Sequence, residues 1–181
     1  MFEKVSRFDT EIGPCGLAWS EAGLTGVYLP EATPEKMAAR LMRNGAKPVN
    51  AADVPGDIAA AMDALRAFLS GEPTAFDDVT LDMHRHSDFE RAAYDALRKV
   101  AWGETVTYGE LAGRIGRAGG AQAIGMAMGR NSWPLIVPCH RVLGANGWLG
   151  GFSAPGGTVT KKALLEREGV YPDGGQMALF E

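Results

Sequence analysis

Only two of the 181 residues are cysteines, Cys15 and Cys139. Two cannot build a disulfide framework, so the chain is expected to work reduced, in the cytoplasm. Long apolar runs are missing too, and nothing approaches the ~20 residues that span a bilayer. No membrane partner is expected. The opening MFEKVSRFDT lacks the apolar stretch of a secretory leader. There are only three histidines, and no residue group has metal-ligand spacing. His84 and His86, two apart before a helix, read as solvated loop residues rather than ligands. With 46% hydrophobic residues and no low-complexity tract, disorder is excluded. What remains is one compact unit or two small ones.

A net charge of −4 argues against a nucleic-acid partner at first sight. Its distribution argues differently. Residues 1–86 carry 8 basic and 13 acidic side chains, whereas 91–142 carry 7 basic and 3 acidic. The C-terminal half therefore holds a mildly basic stretch, which can be a solvated face or the footprint of a polyanion.

The N-terminal part reads as a small α/β unit. Phe2, Val5 and Phe8 mark an extended segment, broken at Gly13-Pro14. Leu17 and Trp19 mark a second strand, Glu21-Ala22-Gly23 a turn, and Val27 to Leu29 a partner strand. Thr33 followed by Pro34 predicts a helix start, with the stop at Asn44-Gly45. Asp57 is expected to cap a second helix whose Ile58, Met62, Leu65 and Leu69 recur at helical spacing up to Gly71. FDDVTLDM, residues 76–83, is a candidate third strand. Cys15, beside a glycine, reads as a small packed hydrophobe rather than a nucleophile.

After His86 the texture turns helical. Ser87-Asp88-Phe89-Glu90 has the form of a capping box, with Phe89, Ala93, Leu97 and Val100 as the inward stripe. Thr107-Tyr108-Gly109-Glu110 is a second box, opening a short helix through Leu111 and Ile115. A turn with Gly116, Gly119 and Gly120 leads to a third helix at 121–130. Short helix, turn, helix is the pattern of a helix-turn-helix. The third helix is rich in alanine and glycine, although each glycine costs ~1 kcal/mol against alanine. Close packing on a neighbouring element explains this, and so does a slim helix lying in a nucleic-acid groove. Leu135-Ile136-Val137 is a buried run ending at Pro138, Asn146-Gly147 a hairpin turn suited to a wing, and Gly169 the stop of a last helix.

Cys139 and His140 stand side by side. A thiol with a pKa of ~8.5 is mostly protonated at neutral pH and needs a base. An imidazole can take its proton, directly or through water, and a carboxylate can hold the imidazole in the correct tautomer. Glu104, Glu110, Glu166 and Glu168 are the candidates. Adjacency alone is a weak signal, but two prolines and an apolar run make the setting rigid.

The string PCHRV at 138–142 carries a resemblance. It is similar to the active-site signature of the O6-alkylguanine-DNA alkyltransferases, also called methylated-DNA–protein-cysteine methyltransferases. A given five-residue string arises by chance at a rate on the order of 10⁻⁴ in such a chain. The resemblance runs from about Phe89 through Gly169 in TYGELA, AIGMAMGRN, PLIVPCHRV, GGFS and LLEREG, all in the family's order. It implies an α+β chain: a small N-terminal α/β, ribonuclease H-like domain at 1–86, then a mainly helical, winged helix-turn-helix-like domain at 87–181.

The roles that the resemblance implies follow residue by residue. Cys139 accepts the alkyl group, His140 takes its proton through a water, and Glu168 orients the imidazole. Asn131 links the reading helix to the active-site strand. Tyr108 crowds the DNA backbone and donates to the base. Ser153 meets the O6 side of the flipped guanine, carbonyls near Cys139 and Val142 accept from its exocyclic amine, and Trp133 and Pro134 wall the pocket. Blander roles exist for several of these: Asn131 as a helix C-cap, Ser153 as a loop residue, Pro134 as a turn former. No cofactor and no metal enter the chemistry, although some relatives hold zinc. The partner is alkylated DNA, met through the minor groove by a monomer. One departure is on the reading helix, where Gln122 occupies the place of the family's usual arginine. Two rival readings are an alkyltransferase-like lesion sensor, which typically has tryptophan at the acceptor position, and a Cys-His hydrolase, which needs an oxyanion hole.

Overall fold

The computed structural model describes residues 3–172, and Phe2 lies outside them. Three antiparallel strands open the chain: β1 (Lys4–Thr10), β2 (Gly13–Ser20) and β3 (Gly23–Tyr28). Lys4 pairs with Trp19 and Thr10 with Gly13 across the first hairpin. A two-residue strand, β4 (Lys47–Pro48), adds parallel to β1, so the sheet order is β3-β2-β1-β4. Both sheet faces are covered, which is why β2 is buried along most of its length. On one face Val5 and Ala18 pack with Met37 and Leu41 of α1 (Pro34–Leu41). On the other, Phe8, Cys15 and Leu17 join Ile58, Leu65 and Phe68 of α2 (Gly56–Leu69).

The start of α1 is as expected, since the Thr33 side chain accepts from the Lys36 amide. The helix itself stops at Leu41, and a 3₁₀ turn carries the chain on to Gly45. Asp57 does not cap α2. Pro55 holds that position without a side-chain bond, and Asp57 sits within the first turn, where its charge suits the helix dipole. Segment 76–83 is not a strand either. It meets β3 only at Leu24 and Leu81, through Leu24 N donating to Thr80 O and Asp82 N to Leu24 O. Further along the same edge, Val27 N donates to Ser132 O instead. Two loops therefore share the exposed edge of β3, and one of them belongs to the C-terminal half.

Four helices follow. Both expected capping boxes form, at Ser87/Glu90 for α3 (Asp88–Arg98) and at Thr107/Glu110 for α4 (Tyr108–Arg114). α5 (Ala121–Gly129) crosses α4 after the glycine-rich turn, and α6 (Gly157–Arg167) ends the described fold. Between them, β5 (Val106–Thr107) pairs parallel with β6 (Val142–Leu143). Asn146 and Gly147 take the left-handed backbone expected of a tight turn, but no return strand follows them. One apolar core runs from Phe8 and Leu65 through Leu97 and Ile124 to Cys139, making the whole a mixed α/β protein. Among the described residues, no helix is long and apolar enough to cross a membrane.

Candidate active site

Residues 131–143 make the centre of the site, and they form a knotted loop rather than the expected strand. Leu135 has a φ of 77°, so the chain reverses instead of extending. Val137 N donates to Trp133 O at 2.8 Å, closing the reversal. Asn131 clamps it from inside: its Nδ2 donates to Val137 O at 2.9 Å while its Oδ1 accepts from Trp133 N at 2.9 Å. Cys139 N then donates to Val137 O at 2.7 Å around Pro138, a three-residue turn that enters the single 3₁₀ turn Cys139–Arg141. Proline at 138 fits because no amide is needed there.

Within that turn, successive side chains diverge. Cys139 lies on the floor of a cavity of about 890 Å³, lined also by Tyr108, Gln122, Met126, Met128, Trp148, Phe152 and Ser153. His140 points the other way and is fully buried, its ring edge-on to Phe68 at 5.9 Å. The His140 Nε2 faces Glu168 Oε1 at 2.7 Å, and its Nδ1 is buried with no hydrogen-bond partner among the described residues. Glu168 also accepts from Arg141 Nε at 2.9 Å and from Gly103 N at 3.1 Å, while Arg141 Nη1 donates to Val100 O at 2.5 Å. Of the four carboxylates the sequence offers, only Glu168 meets His140. Glu110 is engaged in capping α4, and Glu104 accepts from Ala101 N.

The titration of these groups follows from burial. Desolvation pushes the Cys139 thiol up, and the Asn131 side chain and the Lys161 charge pull it part of the way back. Resting Cys139 is a thiol at neutral pH. Burial holds the His140 pKa down, against the Glu168 carboxylate that raises it, which leaves a neutral imidazole able to take a proton. Burial works against the Glu168 charge, but hydrogen bonds from His140 and Arg141 more than offset it and keep the pKa lowered.

Tyr108 begins α4 and reaches the cavity over Gly150. A Cβ at residue 150 would come within 2.9 Å of the Tyr108 hydroxyl, and φ there is 68°, so glycine is required on both counts. Gln122 and Ser153 are exposed and both line the cavity. The structure does not bring Trp133 and Pro134 to the cavity. Trp133 is fully buried, with its Nε1 donating to Leu24 O at 2.8 Å and its ring packed on His86 and Tyr94. Pro134 is buried and lines a neighbouring pocket together with Ser153. Indole and proline are here because the loop must be pinned to β3, so their effect on the pocket is indirect. His86, read from sequence as solvated, is part of that ring stack.

Three participants were not singled out from sequence: Arg141, Trp148 and Lys161. The last is fully buried, with its Nζ donating to Val142 O at 2.6 Å and lying 6.0 Å from the Tyr108 ring centre. Nothing in the string TKKALLEREG distinguishes Lys161 from the half-buried Lys162 except helical phase. Desolvation lowers the Lys161 pKa to about 8. A folded-state pKa below the unfolded one means that the unfolded chain binds more protons between about 8 and 10.5, so this group makes stability rise with pH there. The expected slope is at most ~1.4 kcal/mol per pH unit. Denaturant midpoints measured from pH 7.5 to 9.5 for wild type and Lys161→Met should differ by this rising contribution; parallel curves would refute it.

A family model, the DNA binding domain of 6-O-methylguanine DNA methyltransferase, matches residues 88–170. A methylated-DNA–protein-cysteine methyltransferase of Mycobacterium bovis is 41% identical over 160 residues, 88% of each chain. One from Methanothermobacter thermautotrophicus is 34% identical over 88% of this chain and 81% of its own. The crystal structure of Mycobacterium tuberculosis OGT in complex with DNA superposes with a TM-score of 0.74 at 41% identity, covering 91% of this chain and 92% of that one. With Cys139 on the cavity floor, the His140–Glu168 pair buried behind it, and 41% identity over 88% of the chain, the chain belongs to the methylated-DNA–protein-cysteine methyltransferase family.

Proposed function

We propose that this protein repairs O6-alkylguanine in DNA by moving the alkyl group onto Cys139, once per molecule. The observation that carries this reading is Cys139 on the floor of a large apolar cavity with the buried His140–Glu168 pair behind it. The O6 atom lies inside the base stack, so the nucleotide must be extruded before a sulfur can reach it. His140 accepts the thiol proton through a water at Nδ1, the nitrogen that Glu168 leaves free, and Glu168 stabilises the imidazolium as a positioning residue. The thiolate attacks the alkyl carbon, an S–C bond forms, and the C–O6 bond breaks with its electron pair passing to guanine. The proton given up by the thiol balances the guanine product. A thioether has no carbonyl for water to attack, so Cys139 is not regenerated and the reaction stops at one turnover.

The remaining assignments are part of the same proposal. Residues 1–86 act as a ribonuclease H-like scaffold and 87–181 as the DNA reader, in which α4 and α5 work as a helix-turn-helix and α5 enters the minor groove. The protein acts as a monomer. Tyr108 donates to the base, and the Ser153 hydroxyl meets its O6 side. Val142 O already accepts from Lys161, but a carbonyl has two lone pairs, so it can also take the exocyclic amine. Asn131 holds the loop that presents Cys139, while Trp133 and Pro134 support it from the core side. Incubation with a duplex carrying O6-methylguanine should add one methyl mass to the tryptic peptide of Cys139 and restore guanine. Lesion binding with an unmodified peptide would identify a sensor instead, and repeated turnover on an ester a hydrolase.

Gln122 sets a further expectation. Its amide can pair with an orphaned base, but it is uncharged and stacks less well than a guanidinium. Gln122→Arg should accelerate transfer from a methylated duplex. About 1 kcal/mol of added stacking and charge corresponds to roughly fivefold. Transfer from free O6-benzylguanine should stay unchanged. An unchanged or slower duplex reaction would show that Gln122 is not a weakened wedge.

A further inference from the structure

α5 reaches the cavity without a charged side chain, since Ala121–Gly129 reads AQAIGMAMG. The cations near it lie outside the helix, at Arg114 and Arg117 before it and at Arg130 after it. Whatever nucleic acid faces α5 is therefore met there by apolar contact and one amide, not by neutralised phosphate. Trp148, 70% exposed, lines the same cavity as Met126 of α5, 57% exposed. Two large apolar side chains exposed on one cavity mark a surface suited to binding.

Trp148 is also held in place. Gly144 N donates to Trp148 O at 2.6 Å, closing a short loop in which Asn146 and Gly147 both have positive φ. The Trp148 side chain packs against Gly144: a Cβ at that residue would fall 2.6 Å from Trp148 Cε3. Glycine at 144 thus leaves the space that the indole fills, so the side chain is supported there while most of it stays open to solvent. A supported, largely exposed indole, on the rim of a cavity that takes an extruded base, is a stacking platform.

We infer that Trp148 stacks on a nucleobase of the opened duplex at the cavity mouth, and that it supplies the apolar grip that the uncharged α5 surface cannot obtain from phosphates. The cavity of about 890 Å³ has room for the extruded guanine over Cys139 with its outer rim left to the flanking DNA. This inference rests on the alkyl-transfer reading of Cys139. Stacking is sequence-tolerant, because every base presents a π face, so the platform should act on any sequence context.

The test is single-turnover transfer to Cys139 from two substrates, an O6-methylguanine duplex and free O6-benzylguanine. Trp148→Ala should lower the duplex rate at subsaturating DNA on the order of tenfold, well beyond any loss on the free base. A wild-type thermal midpoint shows that the variant is folded. Trp148→Phe should keep most of the duplex rate, and Trp148→Leu, apolar but without a π face, should not. Leucine performing as well as tryptophan would overturn stacking. A duplex rate within twofold of wild type in Trp148→Ala, or equal losses on both substrates, would overturn the platform while leaving the transfer reading intact. Wild-type protein that takes an alkyl group from neither substrate would overturn both.

Discussion

Cys139→Ala should abolish alkyl transfer outright while the protein still folds and still binds a duplex containing O6-alkylguanine. The alanine removes only Sγ from the floor of the cavity, and the 131–137 loop is held by backbone and Asn131 bonds that do not involve the sulfur. Loss of one buried sulfur costs ~1–2 kcal/mol at most by comparison with other small core truncations. Any pull of the Asn131 amide on the sulfur is lost as well, but its bond to Val137 O remains. The measurement is labelled-methyl transfer alongside a lesion-binding isotherm. Equal loss of both would make Cys139 a structural residue, and residual transfer would place the acceptor elsewhere, with buried Cys15 the poorer candidate. Burial raises the Cys15 thiol to about 11, and no imidazole is among its hydrogen-bond partners.

Truncating Glu168 should be the most destabilising single change at the site. Its carboxylate is buried against His140, the Arg141 guanidinium and Gly103 N. Glu168→Ala leaves Arg141 charged and poorly paired in the core, a loss expected at about 3–5 kcal/mol, on the order of 10 °C in the thermal midpoint for a chain of this size. Glu168→Gln fills the same volume and accepts one bond, so it should fold and isolate the chemical effect: slower transfer, because a neutral amide supports an imidazolium less well. The sign of the pH dependence is set by the lowered Glu168 pKa. Its stabilising contribution is complete above the unfolded carboxylate value of ~4.3 and is lost as pH falls through the folded-state value. Acid unfolding of Glu168→Gln should lack that component. A transfer rate with the wild-type pH profile in Glu168→Gln would assign the orienting role to another group.

Much of the fold was legible in local patterns because its causes are local. Thr33-Pro34, the Ser87/Glu90 box and the Thr107/Glu110 box satisfy helix-end amides within three residues. Alternation along Val5 to Trp19 marks strands whatever covers them. PCHRV marked the proposed acceptor and its base, because the cysteine and the imidazole are neighbours in the chain. Other features were not local. Segment 76–83 has strand-like residues, but β3 offers it a single bridge, since the rest of that edge is taken by Ser132. Leu135-Ile136-Val137 has the composition of a strand, yet the Asn131 clamp folds it back on itself.

The sequence by itself determined which residues can do chemistry: one cysteine with an adjacent histidine, carboxylates within reach, and an uncharged α5. Only the tertiary structure decided which carboxylate meets the histidine, because Glu168 is 28 residues away and competes with three others until α6 docks. It also decided that Trp133 belongs to the core while Trp148 belongs to the cavity rim, two indoles that composition cannot tell apart. Lys161 and Lys162 are neighbours of the same type, and the phase of α6 buries one under Val142 O and leaves the other partly open. The physical reason is common to these cases. Residue type sets what a group can do, whereas burial sets its charge state and reach, and burial is a property of the packed elements together.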